Sequence, residues 1–275
     1  MHQEDQSPAT TNRIRGAPKS KACLLRVMER ELTASGVDRT QPVLVIGGGQ
    51  EDLEILTACG FTNIVLSNLD DSGSALDAEA IAMPDASFSI VCAHAILHHC
   101  QCPPKALGEM VRVARDHVFF LEPNDSSALR FLERHRLSFP YELAAVSSQS
   151  YRSGGMRDGP IPNYIYRWTG RDVLKCIASY QPERKFNVRA YPFWDFYVNE
   201  FELLSRRESR VAQLAATLGP ANFIRLLHAT QVVLNLFPPL RSQGNKFFAS
   251  ISKRELQPWI EKRDGQYSLR QPPQD

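Results

Sequence analysis

The chain has 275 residues, 43% of them hydrophobic, and its 32 Lys and Arg nearly balance its 30 Asp and Glu. This composition excludes a disordered or fibrous chain, and the lack of excess positive charge argues against a protein dedicated to duplex nucleic acid. Six scattered cysteines, an amino terminus without a signal-peptide pattern and the absence of any stretch near the roughly 20 apolar residues that span a bilayer predict a cytoplasmic protein without a membrane span.

The first half of the chain alternates strand and helix patterns. Residues 1–20 are polar and predict a mobile arm, and apolar residues at helical spacing predict a helix over residues 21–34. Apolar runs then predict strands at residues 42–46, 64–66, 75–76, 89–93 and 118–121, with helices after the first strand and over residues 104–114. This alternation is typical of an α/β fold with a mainly parallel, Rossmann-like sheet, which binds ligands beyond the carboxyl ends of its strands.

The second half is less regular and contains two predicted insertions. Residues 124–168 are crowded with Gly, Pro, Tyr and Arg and predict a substrate lid, and residues 199–236 predict a helical insertion. Between and after them we predict a helix over residues 169–180, a strand over 187–191, a last strand over 246–251 and a polar tail over 253–275. The sequence therefore predicts one domain over residues 21–252.

Three consecutive glycines, Gly47, Gly48 and Gly49, end the first predicted strand. Glycines let a backbone approach a bound ligand closely, and the following helix presents unpaired N–H groups to it. A dinucleotide fingerprint needs a third glycine where this chain has Asp52, and Glu51 and Asp52 would repel a pyrophosphate but not a cation. The alternative is a tight turn whose acids only stabilise the helix dipole.

A second polar cluster follows the second predicted strand. Asn68 and Asp70 lie where nucleotide-binding α/β folds supply a carboxylate to the ribose hydroxyls. The alternative is that both residues only form a turn.

A longer run of motifs resembles one protein family. The stretch from Leu76 to Val91 (LDAEAIAMPDASFSIV) runs into Cys92–His99 (CAHAILHH). It resembles the class I S-adenosylmethionine-dependent methyltransferases, in particular the ubiquinone-biosynthesis-like (type 11) group, which carries D-A-x-x-L-P-F-x-D-x-S-F-D-x-V and then x-L-H-H. Residues 106–115 and the Glu122-Pro123 strand end also resemble that group's L-x-E-x-x-R-V-L helix and E-P dipeptide. The resemblance covers residues 42–123 well and 168–251 loosely.

The resemblance implies a seven-stranded sheet in the order 3-2-1-4-5-7-6 with the last strand antiparallel. It also implies S-adenosyl-L-methionine as cofactor and methyl transfer to an acceptor held above strands four and five. By position, the residues expected at the cofactor are Gly47, Gly48, Gly49, Glu51, Asn68, Asp70, Asp77, Ala78, Glu79, Ala93 and His94.

Two positions depart from the family's pattern. The family has an acid two residues before the first glycine and another at the end of the second strand, where this chain has Val45 and Asn68. An alternative hypothesis is therefore a catalytically silent, cofactor-binding homologue that serves as a partner subunit. A nicotinamide-dependent dehydrogenase shares the fold but lacks support, because the third glycine is absent.

Three histidines follow the fourth predicted strand, on the rim where the acceptor is expected. Methyl transfer needs mainly positioning and, for some acceptors, removal of a proton, a task that suits histidine. We predict His94 and His98 as catalytic residues and His99 as a substrate contact. His98 and His99 are adjacent, which predicts that one packs on the sheet while the other faces outward. No second Cys/His pair follows at zinc-finger spacing, so we expect no metal.

The lid and a second aromatic cluster, which contains Trp194 and follows the predicted strand over residues 187–191, supply the remaining predicted substrate contacts. Aromatic residues with a few polar groups are the usual lining of small-molecule pockets. The alternative for each is an anchoring role in the insertion. The predicted contacts are Tyr151, Arg152, Arg157, Asn163, Tyr164, Tyr166, Trp168 and Trp194. We expect a small-molecule acceptor with an oxygen or nitrogen nucleophile rather than carbon, and no nucleic-acid partner. The aromatic-rich carboxyl half is also compatible with a homodimer surface.

Overall fold

The structure of the protein is a computed structural model that describes residues 19–67, 76–135, 137–142, 164–196 and 210–270. The first half consists of α1 (Lys19–Ser35), β1 (Val43–Ile46), α2 (Gln50–Ala58), β2 (Ile64–Ser67), β3 (Phe88–His94), a 3-10 turn (Leu97–His99), α3 (Pro103–Val113) and β4 (Ala114–Pro123). The second half consists of α4 (Ser127–Arg134), α5 (Gly170–Tyr180), β5 (Arg184–Phe193), α6 (Arg210–Leu218), α7 (Pro220–Leu236), α8 (Pro238–Arg241), β6 (Lys246–Leu256), β7 (Ile260–Arg263) and β8 (Gln266–Leu269).

Six of these strands form the main sheet, in the order β2-β1-β3-β4-β6-β5. β1 pairs parallel with β2 and β3, β3 pairs parallel with β4, and β6 is antiparallel to both of its neighbours. This arrangement confirms the predicted Rossmann-like fold, since it is the expected order without the third strand. That strand was predicted at residues 75–76; Leu76 lies outside any strand, and residue 75 lies outside the described residues.

The carboxyl terminus differs from the predicted polar tail. β6 continues to Leu256, and β7 and β8 form a separate two-stranded antiparallel sheet over residues 260–269. β6 is longer than its apolar run because it pairs with β5 as far as Leu256, opposite Arg184. No helix among the described residues is long and apolar enough to cross a membrane.

The sheet is buried on both faces, which explains why β1 is a continuous apolar run. Side chains on one face, including Leu44 of β1, pack against α3 and α5. Alternate side chains, including Val45, pack with Met28 and Leu32 of α1 and with Ile55 and Leu56 of α2. Successive strand residues point to opposite faces, so His94, two residues after Cys92, lies on the α1–α2 side.

The carboxyl ends of five strands lie along one edge of the main sheet. β1, β2, β3, β4 and β5 all run in one direction and end at this edge, and the antiparallel β6 begins there. Lys246, the first residue of β6, is paired with Pro123 at the end of β4 and with Phe193 at the end of β5. The glycine turn after β1 and the histidines after β3 therefore lie at the same edge, where a parallel sheet binds its ligands.

Candidate functional site

The turn after β1 can accept only glycine at its first two positions. Gly47 has φ +63°, and a Cβ on it would lie 2.4 Å from Cγ1 of Ile96. A Cβ on Gly48 would lie 2.7 Å from Cγ1 of Val45. Gly49 is different, because a Cβ there would meet no described atom within 4 Å. The turn thus packs tightly on the protein side and leaves the backbone at Gly49 open to a ligand.

Asp52 connects this turn to the end of β3. Its Oδ2 accepts a hydrogen bond from the N–H of Gly49 at 2.9 Å, which closes the capping box of α2, and its Oδ1 lies 3.2 Å from Nδ1 of His94. Burial acts to raise the pKa of Asp52, but the hydrogen bonds with His94 and Gly49 outweigh it, and the pKa is lowered. An ionised carboxylate therefore stands between the glycine turn and His94.

The chain reverses sharply after His94. Ala95 has φ +52°, an uncommon conformation for a residue other than glycine, and its N–H donates to the carbonyl of Leu121 at 2.8 Å. The next two N–H groups, of Ile96 and Leu97, both donate to Oε1 of Glu122, at 2.8 and 2.7 Å. The fully buried Glu122 carboxylate thus fixes the loop that carries the other histidines.

His98 lies between two glutamates. Its Nδ1 is 2.6 Å from Oε2 of Glu122, and its Nε2 is 3.1 Å from Oε1 of Glu142. Burial acts to lower the pKa of His98, but the hydrogen bonds and charges of both carboxylates outweigh it and raise the pKa to about 9. His98 is therefore protonated at neutral pH, which does not suit the predicted role of proton acceptor.

His99 faces the same glutamate as His98. Its Nδ1 lies 3.6 Å from Oε2 of Glu142, and the centroids of the two histidine rings are 4.2 Å apart. His98 is buried and the His99 side chain is 21% exposed, but the two rings do not face opposite ways, because residues 97–99 form a 3-10 turn and both rings lie beside Glu142. Burial and the neighbouring His98 lower the pKa of His99.

The residues expected at the adenine edge occupy a loop that is held by hydrogen bonds and by packing against the core. Oδ1 of Asp77 accepts a hydrogen bond from the N–H of Glu79 at 2.8 Å, and Ala78 packs against the core. Oε1 of Glu79 accepts from the N–H groups of Gln101 and Cys102, at 2.6 and 3.1 Å, at the start of α3. One carboxylate oxygen of Glu79 therefore fixes the two residues just before α3, a role that the sequence did not indicate.

Glu109 and Arg112 of α3 hold the loop over residues 81–85 in place. They are the acidic and basic residues of the L-x-E-x-x-R motif. Arg112 donates to the carbonyls of Ile81 and Met83, at 2.6 and 2.8 Å, and to Oδ1 of Asp85 at 2.8 Å. Glu109 accepts from the N–H of Ile81 at 2.9 Å. The motif therefore shapes the loop between the predicted adenine contacts and β3.

Besides His99, four of the predicted substrate contacts lie in the described residues. Trp168 is completely buried in the core against Phe120, and Trp194 is 6% exposed with its Nε1–H donating to the carbonyl of Leu240. The anchoring alternative accounts for these two tryptophans. Tyr164 is 57% exposed and Tyr166 is 37% exposed, so both are open to a ligand.

Several predicted site residues lie outside the described residues, and their assignment stays a prediction. They are Asn68, Asp70, Tyr151, Arg152, Arg157 and Asn163.

Sequence reasoning missed three acids at this edge. Glu122 appeared only as part of the E-P motif, and Glu142 carried no signal because it lies in the irregular insertion. Asp195 follows β5, and burial raises its pKa although Lys246 and His94 are close enough to oppose that effect. Its position after the Phe193-Trp194 pair at a strand end was the one available signal.

Comparisons with known proteins agree with the motifs. Residues 61–121 match the Methyltransf_11 methyltransferase domain, which confirms the resemblance that the motifs predicted. A search of curated proteins gave no match.

Among solved structures, the chain is similar to an SAM-dependent methyltransferase from Archaeoglobus fulgidus, with 16% identity over 84% of this chain and 94% of that chain and a TM-score of 0.41. It is also similar to an SAM-dependent methyltransferase from Methanosarcina mazei, with 13% identity over 80% and 95% of the chains and a TM-score of 0.43. A third is magnesium protoporphyrin IX methyltransferase from Synechocystis with bound SAH, with 14% identity over 68% and 82% and a TM-score of 0.43.

Proposed function

From the Methyltransf_11 domain that the chain carries over residues 61–121, we infer that this protein is an S-adenosylmethionine-dependent methyltransferase that acts on a small-molecule acceptor. The observation that carries the proposal beyond the family is the Asp52–His94 pair beside the glycine turn, at the edge where parallel strands end. In this pair the Asp52 carboxylate is suited to a positively charged cofactor, and His94 is suited to take a proton from the acceptor.

The proposed cofactor site begins at the glycine turn. Gly47, Gly48 and Gly49 bring the backbone close to the ligand, and the ionised Asp52 favours its positive charge. Val45, where the family has an acid, lines a cavity of about 30 Å³ together with Asp52 and His94. The Asp52 carboxylate therefore reaches the space beside the position of the missing acid, and we propose that it replaces that acid.

The remaining cofactor contacts follow from the family's pattern. Asp77, Ala78 and Glu79 form the proposed adenine edge, with Ala78 offering an apolar surface. Ala93 and His94 end β3 beside the turn, and Glu51 lies in the first turn of α2. When bound, S-adenosylmethionine supplies an activated methyl group, so the protein needs to contribute mainly binding and orientation.

His94 is the proposed general base. When Nδ1–H donates to Asp52, Nε2 of the same ring is the proton acceptor, and the carboxylate stabilises the imidazolium that forms. An acceptor O–H or N–H placed beside Nε2 would give its proton to His94, which would leave the oxygen or nitrogen lone pair free to act as the nucleophile. The predicted alternative base, His98, is less suitable because its pKa of about 9 keeps it protonated. This arrangement favours an oxygen or nitrogen acceptor over carbon.

The second proposal, a catalytically silent partner subunit, rests on Val45. Its side chain is 1% exposed and belongs to an apolar cluster, so the position offers no polar group to the cofactor.

Calorimetric titration of the purified protein with S-adenosylhomocysteine tests the first proposal. We expect one molecule bound per chain, and no binding at millimolar ligand would refute it. A screen of hydroxyl- and amine-bearing small molecules with labelled S-adenosylmethionine then separates the two proposals. Methyl transfer to any of them excludes the silent subunit, whereas tight cofactor binding without transfer favours it.

A further inference from the structure

Three ligating side chains converge beside the 3-10 turn. They are His98 and His99, which are adjacent in sequence, and Glu142, which comes from the insertion after β4. One donor atom from each lies within 4.8 Å of the other two. Glu142 is 3.1 Å from Nε2 of His98 through one oxygen and 3.6 Å from Nδ1 of His99 through the other. In a tetrahedral zinc site with bonds of about 2 Å, donor atoms stand roughly 3–3.5 Å apart, so little movement is needed.

The other nitrogen of His98 is held as in a metal-binding histidine. Ligating histidines usually pass their second ring N–H to a carboxylate, which fixes the tautomer and the ring orientation. Here Nδ1 of His98 lies 2.6 Å from Glu122, and that carboxylate is anchored by the N–H groups of Ile96 and Leu97. His98 Nε2 is thereby directed towards Glu142.

His99 adds an independent observation. Its Nδ1 is buried and makes no hydrogen bond within the described part of the chain, although it points towards the Glu142 carboxylate. A buried polar nitrogen without a hydrogen bond is costly, and a metal ion would satisfy it. The thiol that follows His99 in the sequence is used elsewhere, because Sγ of Cys100 donates to the carbonyl of Ile96 at 3.8 Å.

We propose that Nε2 of His98, Nδ1 of His99 and the carboxylate of Glu142 bind one divalent transition-metal ion, with Zn²⁺ as the best fit. Two histidines and one carboxylate form the ligand set of catalytic zinc sites that keep a fourth position open. In this arrangement the metal displaces the proton from Nε2 of His98 into solvent and replaces the direct contact between His98 and Glu142. Lys246 lies near Glu142 and limits the excess negative charge of the site.

The open position assigns a role to the metal. The site lies just after β3, on the same edge as His94 and the glycine turn. We place an oxygen or nitrogen of the acceptor at the open position, so that the metal orients the nucleophile and lowers its pKa. This role rests on the proposed function, whereas the metal site itself does not.

Titration of the chelator-treated full chain with Zn²⁺ by calorimetry, and with Co²⁺ by visible absorption, tests the site. We expect one ion per chain and the absorption bands of tetrahedral or five-coordinate Co²⁺. His99→Ala and Glu142→Gln should each weaken binding at least 10-fold, a typical loss even for the outer partners of a metal site. Two controls, His135→Ala and Cys102→Ser, remove exposed ligating groups outside the three and should leave the affinity unchanged.

Binding that is equally strong in the wild type and Glu142→Gln, or no stoichiometric binding, would overturn the metal site and leave an ion-pair cluster. S-adenosylhomocysteine binding is measured on the same samples. If the cofactor binds and Zn²⁺ does not, only the metal proposal fails; the reverse result leaves the metal site and removes the proposed function. Folding of each variant is checked by circular dichroism.

Discussion

Asp52 serves the fold and the proposed site with different oxygens. Oδ2 caps α2 through Gly49, and Oδ1 orients His94. In the proposed site, Asp52 takes the place of the acid that the family has at position 45, where Val45 is 1% exposed among apolar side chains. Restoring the family's acid with Val45→Asp would bury a charge in that cluster and should cost several kcal/mol of stability. Substitution of Asp52 is therefore the better test of whether a carboxylate contacts the cofactor.

Asp52→Asn should weaken binding of S-adenosylmethionine by about 10- to 100-fold, since a hydrogen bond to a charged group contributes roughly 1.5–3 kcal/mol. It should also lower the free energy of unfolding by about 0.3–1 kcal/mol, because Asn keeps an oxygen for the Gly49 N–H but removes the negative charge from the first turn of α2. Asp172→Asn is the matched control, because Asp172 closes the same kind of capping box at the start of α5. We expect it to lose similar stability and keep its cofactor affinity; an equal affinity loss would contradict the assignment. Calorimetry and chemical denaturation measure both quantities.

His94→Ala should reduce turnover by about 10²- to 10⁴-fold, the usual contribution of a general base. Cofactor affinity should fall far less, because the base acts on the acceptor. Single-turnover kinetics and cofactor titration measure the two effects separately. His135→Ala, at an exposed position after α4, should change neither. Comparable losses of turnover and affinity would instead identify His94 as a cofactor contact.

The secondary structure could be predicted where one local pattern determines it. β1 is a run of four apolar residues that ends at glycines, and β3 is a similar run that ends at His94. The glycine turn was predictable for the same reason. Contacts of Glu142 were not, since it meets His98 from 44 residues away, and its position depends on how the insertion folds back. The β7–β8 hairpin was missed because its strands are polar and mostly exposed.

β6 carries a buried cation that should affect stability at alkaline pH. Nζ of Lys253 donates to the carbonyl of Ala114, and burial, with Arg184 contributing, lowers the pKa of Lys253 to about 8. The unfolded value is about 10.4, so between these pH values the unfolded chain binds more protons than the folded one. Lys253 should therefore contribute stability that rises from about pH 8 to about pH 10, by less than roughly 3 kcal/mol because the group is partly exposed. This contribution opposes the alkaline loss of stability from Cys59 and Cys176, since burial raises the pKa of each thiol to about 11.

Urea denaturation across this pH range tests the effect in the wild type and Lys253→Met. We expect stability to fall more steeply with pH in the variant than in the wild type, because the contribution of Lys253 is lost. Lys262→Met, on an exposed part of β7, removes the same charge and should keep the wild-type slope. An unchanged slope in Lys253→Met would assign the pH dependence to other groups.

At the scale of the whole molecule, the α6–α7 hairpin depends on polar contacts rather than on the main core. Its own apolar cluster has only two buried residues, Ala215 and Phe223. Asn235 of α7 accepts a hydrogen bond from the N–H of Trp194 and donates to its carbonyl, both at 2.8 Å. Gln231 accepts from the N–H of Phe196. The hairpin is therefore fastened to the chain just after β5 by two amide side chains.

Asn235→Ala should destabilise this hairpin by about 1–3 kcal/mol, since it leaves partly buried backbone groups without partners. Hydrogen exchange should accelerate in α6 and α7 and stay unchanged in β1, β3 and β4, because the hairpin opens as a local unit. Asn222→Ala is the control: Asn222 makes only an exposed contact with the carbonyl of Leu218, within the hairpin. Uniform acceleration across the sheet would show that the hairpin unfolds only with the whole domain.

The side chain of Ile96 fills the space in which a side chain at position 47 would lie, although the two positions are far apart in the sequence. The positive φ of Gly47 requires glycine there, whatever residue occupies position 96. At position 96 the contact limits only the size of the side chain. The two positions therefore tolerate substitution differently. A smaller residue at position 96 leaves the turn intact, whereas a larger residue at position 47 does not. Ile96→Ala would open a hollow beside the turn, and we expect such a variant to accept cofactor analogues enlarged on that side, which the wild type excludes.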